Sequence, residues 1–161
     1  MEARIEALSR YHRAPQEATV GPKREKLRDV GLAWLRLLAG IGIAVHGYGK
    51  LFGDHMAAFT DTVAKLGLPG DTQLMAHLAA WSEFAGGILC IIGLLTRVSA
   101  LMIVGTMCVA FFVAQAGAPF GDRELAYVYL AAFGALLLTG PGKLSIDAAI
   151  ELALRRGGPS K

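Results

Sequence analysis

The sequence predicts an all-α integral membrane protein: a bundle of four transmembrane helices, both termini cytoplasmic, with a short interfacial helix at the C-terminal end. Three observations carry that prediction. Of the 161 residues, 54% are hydrophobic and only 18% are charged, against roughly 25% charged in an ordinary soluble domain. Four stretches approach the ~20 apolar residues that a helix needs to cross the hydrocarbon layer. Lys and Arg collect at one set of span ends. The same figures exclude other classes. Cys90 and Cys108 lie in apolar runs with no CxxC pair, which argues against a disulfide scaffold, a cysteine zinc site or a dithiol redox centre. The net charge of +3 is modest and its bases lie toward the ends, so nucleic acid is not an expected partner.

The chain divides into a basic tail (1–29), a transmembrane region (30–142) and a C-terminal helix and tail (143–161). The tail is polar and interrupted by Pro15 and Pro22. It lacks the apolar core and cleavage site of a signal peptide, so the first span is expected to be retained. Ile5, Leu8 and Tyr11 recur there at helical spacing beside Arg4, Arg10 and Arg13, a pattern suited to anionic headgroups or to docking a partner subunit. The spans are 30–50, 74–96, 98–116 and 125–140. Between the first two, Met56, Phe59, Val63 and Leu66 predict a short surface helix ended at Gly67 and Pro69. Gly140-Pro141-Gly142 breaks the fourth span. Ser145 then caps a last helix, with Asp147 in its first turn and Arg155 and Arg156 at its end. Ile146, Ile150 and Leu154 give that helix an apolar edge for the inner membrane surface. With spans one and two joined outside, twelve Lys and Arg fall on the cytoplasmic side and three on the other. The expected location is therefore the inner (plasma) membrane.

Charges at membrane depth are costly and seek partners inside a bundle. Arg36 and His46 in span one and Glu83 in span two are the candidates. At 1.5 Å per residue they lie roughly 20, 6 and 13 Å below the outer ends of their spans. Arg36, Gly40, Ile43, His46, Gly47 and Lys50 share about a third of the first helix's circumference. Ala79, Ser82, Gly86, Cys90 and Gly93 make a small-residue stripe on span two, with Glu83 on its flank beside Gly87. Small residues let helices approach closely in lipid, so Glu83 is expected to pair with His46, Arg36 or both. One reading is a buried ion pair that only sets helix register. The other is a polar pocket in the outer half of the bundle, with Tyr48, Lys50, Gln115, Glu124 and Tyr127 at the same level. A carboxylate and an imidazole there suit proton transfer, and the pocket would take the head of a quinone or a lipid. No metal-ligand pattern and no nucleotide motif is present in the sequence.

The run HGYGKLFG (46–53), preceded by Arg36, resembles the first-span signature of the DoxX family. EFAGGILCIIGLLTR (83–97) is similar to that family's second-span motif, and ELAYVYL (124–130) and GPGKLSID (140–147) to its fourth-span and exit motifs. The resemblance runs from about residue 35 to 147 and leaves the basic tail outside. It implies a compact four-helix membrane bundle, with Arg36, His46, Lys50, Glu83, Arg97 and Tyr127 at the family's polar positions. It also implies association with membrane oxidoreductases, including thiosulfate:quinone types. The expected function is a quinone-linked oxidoreductase subunit with no intrinsic cofactor. Glu83 and His46 would be its proton-handling groups, and Arg36, Lys50, Tyr48, Gln115 and Tyr127 the quinone contacts. Its partners would be the bilayer and either a protein subunit or a second copy. The competing readings are a non-catalytic scaffold that recruits a soluble redox protein, and a lipid or small-solute transporter.

Overall fold

The computed structural model describes residues 21–157; the spaced apolar residues Ile5, Leu8 and Tyr11 of the basic tail lie outside them. Every element among the described residues is helical. α1 spans Pro22–Phe52, α2 Met56–Ala64, α3 Thr72–Ile92 and α4 Thr96–Val109, which continues as a π-helical turn, Ala110–Ala114. α5 spans Phe120–Thr139 and α6 Ile146–Arg156. Three stretches, Lys23–Phe52, Thr72–Ile92 and Thr96–Ala114, are long and apolar enough to cross a membrane. α5 has 20 residues, with Asp122, Arg123 and Glu124 crowded at its start.

Local chemistry explains the boundaries. α1 starts eight residues before the apolar stretch, because Pro22 suits a first turn that needs no N–H and Lys23, Arg24, Glu25, Lys26 and Leu27 favour helix. Asp71 caps α3 by accepting from the amides of Gln73 and Leu74, 2.8 and 3.2 Å away. Gly93, left-handed at φ 73°, ends it. Ser145 caps α6 as expected, accepting from Ala148 N at 3.1 Å. The surface helix ends near the predicted breakers, with Lys65 as its C-cap.

α1 and α3 form the main packed pair, α4 lies on α3, and α5 lies on α4 and more lightly on α1. Gly40 and Gly87 let the first pair close up. A β-carbon on either would stand within 2.9 Å of the other's carbonyl oxygen. Where lipid replaces water and supplies no hydrophobic drive, such close contact is what holds helices together. The expected small-residue stripe meets a different neighbour. Gly87, Phe84 and Glu83 face α1, while Gly86 and Ser82 face α4. Ile43, Ile103, Phe133 and Leu136 fill the core between α1, α4 and α5.

Polar bonds tie the terminal end of the bundle. The carboxylate of Asp147, on α6, accepts from the amides of Leu95 and Thr96 at 2.8 and 2.9 Å, capping α4. Asp147 N donates to Gly93 O at 2.9 Å. Asp29 is buried and accepts from Lys143 N. The Glu25 carboxylate, 2.8 Å from the Lys143 ammonium, pushes that amine above its ordinary range.

Candidate functional site

The candidate site lies at the opposite end of the bundle, where α2 folds back over α3. Lys50 occupies the last turn of α1 and Glu83 the middle of α3. Antiparallel packing through Gly40 and Gly87 brings their levels together. The Lys50 ammonium donates to both carboxylate oxygens of Glu83, each at 2.6 Å. Glu83 is 1% exposed, and the Lys50 side chain keeps about a quarter of its surface, at 25%. Phe59 of α2 lies against the same ammonium, 4.3 Å from ring centroid to nitrogen, a cation–π contact.

A cavity of about 440 Å³ opens beside this pair, with α3 as its floor and α2 and α4 as its walls. That volume falls in the range of small-molecule sites. Lys50 and Glu83 are the charged residues lining it; Val63, Leu66, Leu78, Leu101 and Met102 make up much of the rest. Ser82 and Thr106 also line it, with their hydroxyl oxygens 2.8 Å apart across the α3–α4 contact. Ala110 and Ala114, in the π-helical turn, close its far wall. Single π turns inside α-helices occur frequently at functional sites.

The expected pairing of Glu83 with Arg36 or His46 does not form. Arg36 is 2% exposed but lies against Gly93, ten residues or about 15 Å along α3 from Glu83. There its guanidinium donates to Leu144 O, while Nε and Nη1 have no partner among the described residues. His46 is exposed on the edge of α1 that turns toward α5, with its ring edge-on to Tyr129 at 6.0 Å. α3 leans on the Gly40, Ala44 and Gly47 edge instead, which carries Lys50 toward Glu83 and His46 away. Of the other quinone contacts proposed from sequence, Tyr48 is exposed in an aromatic cluster with Phe52 and Phe84. Gln115 donates from Nε2 to Asp122 O at 3.2 Å in the α4–α5 turn. Tyr127 packs between Phe111 and Phe120. The structure thus unites Lys50 and Glu83 and leaves Arg36, His46, Tyr48, Gln115 and Tyr127 off the cavity wall.

Sequence reasoning missed Phe59, Ser82, Thr106 and the carboxylate of Asp147 as cross-chain groups. Two hydroxyls in apolar helices are a weak signal, since each can be satisfied by its own helix backbone. In the sequence Phe59 shows only as one apolar position of a surface helix.

Comparison with known proteins agrees with this architecture. The family model described as DoxX matches residues 31–116. The Bacillus subtilis (strain 168) protein named "Putative oxidoreductase CatD" is 32% identical over 133 residues, covering 82% of this chain and 96% of its own. Inner membrane protein YqjF of Escherichia coli (strain K12) is 32% identical over 127 residues, covering 76% of this chain and 94% of its own. No solved structure matches the chain. The chain belongs to the DoxX family and is a membrane protein.

Proposed function

We propose that this protein is the membrane subunit of an oxidoreductase and that it binds the head of a quinone or quinol in the α2–α3–α4 cavity. The observation that carries the reading is a hydrogen-bonding acid–base pair on the wall of an otherwise apolar cavity in a membrane helix bundle. A quinone head needs polar partners for its oxygens and apolar walls for its ring and first isoprenoid unit. Quinol oxidation releases two protons and two electrons. Glu83 accepts one proton when the ligand displaces Lys50 from one carboxylate oxygen, the second proton leaves to water past the quarter-exposed Lys50, and both electrons pass to a redox centre on a partner subunit. One relative's name, with its oxidoreductase wording, supports this class.

In this reading α5 is the fourth crossing. Both termini are cytoplasmic, and the cavity opens toward the outer half of an inner membrane. The excess of Lys and Arg at the terminal end supports that orientation. A scaffold role is the second reading, favoured by the apolar edge of α6, where Ile150 and Leu154 are 46% and 72% exposed.

Gly105→Phe tests the function. Gly105 lines the cavity and has open space where a β-carbon would go, so the new ring fills the site without a backbone clash. Mass spectrometry of lipids co-purifying from mild detergent is expected to find quinone with the native protein and to lose it with Gly105→Phe. Native protein that retains none, or a variant that retains as much, overturns the reading.

A further inference from the structure

The cavity walls set a charge rule for whatever enters. Lys50 and Glu83 are its charged residues, and they neutralise each other with both carboxylate oxygens bound to one ammonium. The remaining lining is apolar apart from hydroxyls such as Ser82 and Thr106. An anionic head would lose its water on entry and find Lys50 already engaged. It must then either break the pair, which strands Glu83 beside it, or stay uncompensated. Both routes are expensive at low dielectric. An uncharged head that donates or accepts hydrogen bonds meets neither penalty.

The mouth agrees with an amphiphile as occupant. Leu78, Leu101 and Met102 line the cavity and are 54%, 58% and 47% exposed. They lie on helices apolar enough to cross a membrane, so their free faces meet acyl chains. A single chain can leave through that gap while its head stays at the pair.

We infer that the cavity selects uncharged single-chain amphiphiles from the bilayer, and that Glu83 is the residue that excludes anionic ones by neutralising Lys50. The inference rests on the same site as the proposed function, yet it holds for any neutral head, quinone or not. Removing the carboxylate leaves a lone ammonium facing apolar walls. Glu83→Gln should therefore convert the site into one that prefers anions. Lys50→Met leaves a carboxyl group instead and should gain no affinity for anions.

The test compares dodecyl methyl sulfone with dodecanesulfonate, matched in tail and nearly in head volume, by binding to the full chain in phosphatidylcholine nanodiscs. The native protein is expected to prefer the sulfone by about tenfold or more. Glu83→Gln is expected to invert the order, and Lys50→Met to keep it. Equal binding of the two by the native protein overturns the inference, even where quinone still co-purifies. So does a folded Glu83→Gln protein without increased sulfonate binding, or a native protein that takes neither ligand. Sulfone preference and inversion without quinone retention sink only the quinone reading. Should Glu83→Gln fail to fold, Glu83→Ala carries the same expectation of inverted order, and a Lys50→Met protein that prefers the sulfonate also overturns the inference.

Discussion

Replacing Glu83 by Leu strands the Lys50 ammonium in an apolar wall, and replacing Lys50 by Met strands the carboxylate. Breaking a buried pair from one side costs about 3 kcal/mol or more, while removing both partners together costs little. The double variant Lys50→Met with Glu83→Leu is therefore expected to be more stable in detergent than either single variant. Thermal unfolding of the four proteins measures the coupling, and additive losses would show the pair to be irrelevant to folding. On the proposed quinol chemistry activity should not return in the double variant, since that proposal makes Glu83 the proton acceptor. At this scale the sequence was partly legible. An acid midway along span two had to find a cation, and it did. Which cation was not legible, because helical phase placed Arg36, His46 and Lys50 on one broad face. The choice among them depends on where two glycines let the backbones touch, and spacing within one helix says nothing about register against another.

Helix contacts give sharper expectations at the level of the element. A β-carbon at Gly47 would stand 2.8 Å from the Cα of Phe84, against backbone that cannot step aside. Gly47→Ala should destabilise the α1–α3 pair by about 1–3 kcal/mol. Gly49, two residues on, has nothing within 4 Å of that position, and Gly49→Ala should stabilise α1 by about 0.5–1 kcal/mol. Unfolding of the two variants under one condition checks the contrast. Asp147→Ala removes the carboxylate that holds both the Leu95 and Thr96 amides. Its expected cost is about 1–2 kcal/mol, read as faster hydrogen exchange in the first turn of α4, with Asp147→Asn in between. Most element types were legible: the Ser145 cap, the Gly–Pro breaks and the apolar runs of spans two to four each fall close to a real helix boundary, whereas α1 begins eight residues before its run. The π turn at Ala110–Ala114 was not, for AFFVA is as good an α-helical string as any beside it. The sequence shows Asp147 only in the first turn of its own helix, because its cross-helix partner lies 51 residues earlier in the chain.

For the whole molecule, charge distribution makes one claim that can be checked directly. The proposed cytoplasmic placement of both termini predicts that a fluorescent protein fused after Lys161 folds and fluoresces in a bacterial host, whereas a fusion after Leu68 stays dark. The reverse result would invert the orientation and place the cavity in the other leaflet. Membrane class and helix order were readable from composition and apolar run length alone. Where the cavity opens was not, since it depends on a nine-residue helix folding back over α3. The remote cap on α4 also bears on how the chain is made. When the turn after α3 leaves the ribosome, the carboxylate that will secure it has not yet been synthesised. The nascent bundle must wait in the bilayer with that turn unfinished until α6 arrives. α6 therefore closes that turn only after the helices on either side of it have been made. Ribosomes stalled short of Ser145 should leave products that the cell's membrane proteases find easy to cut.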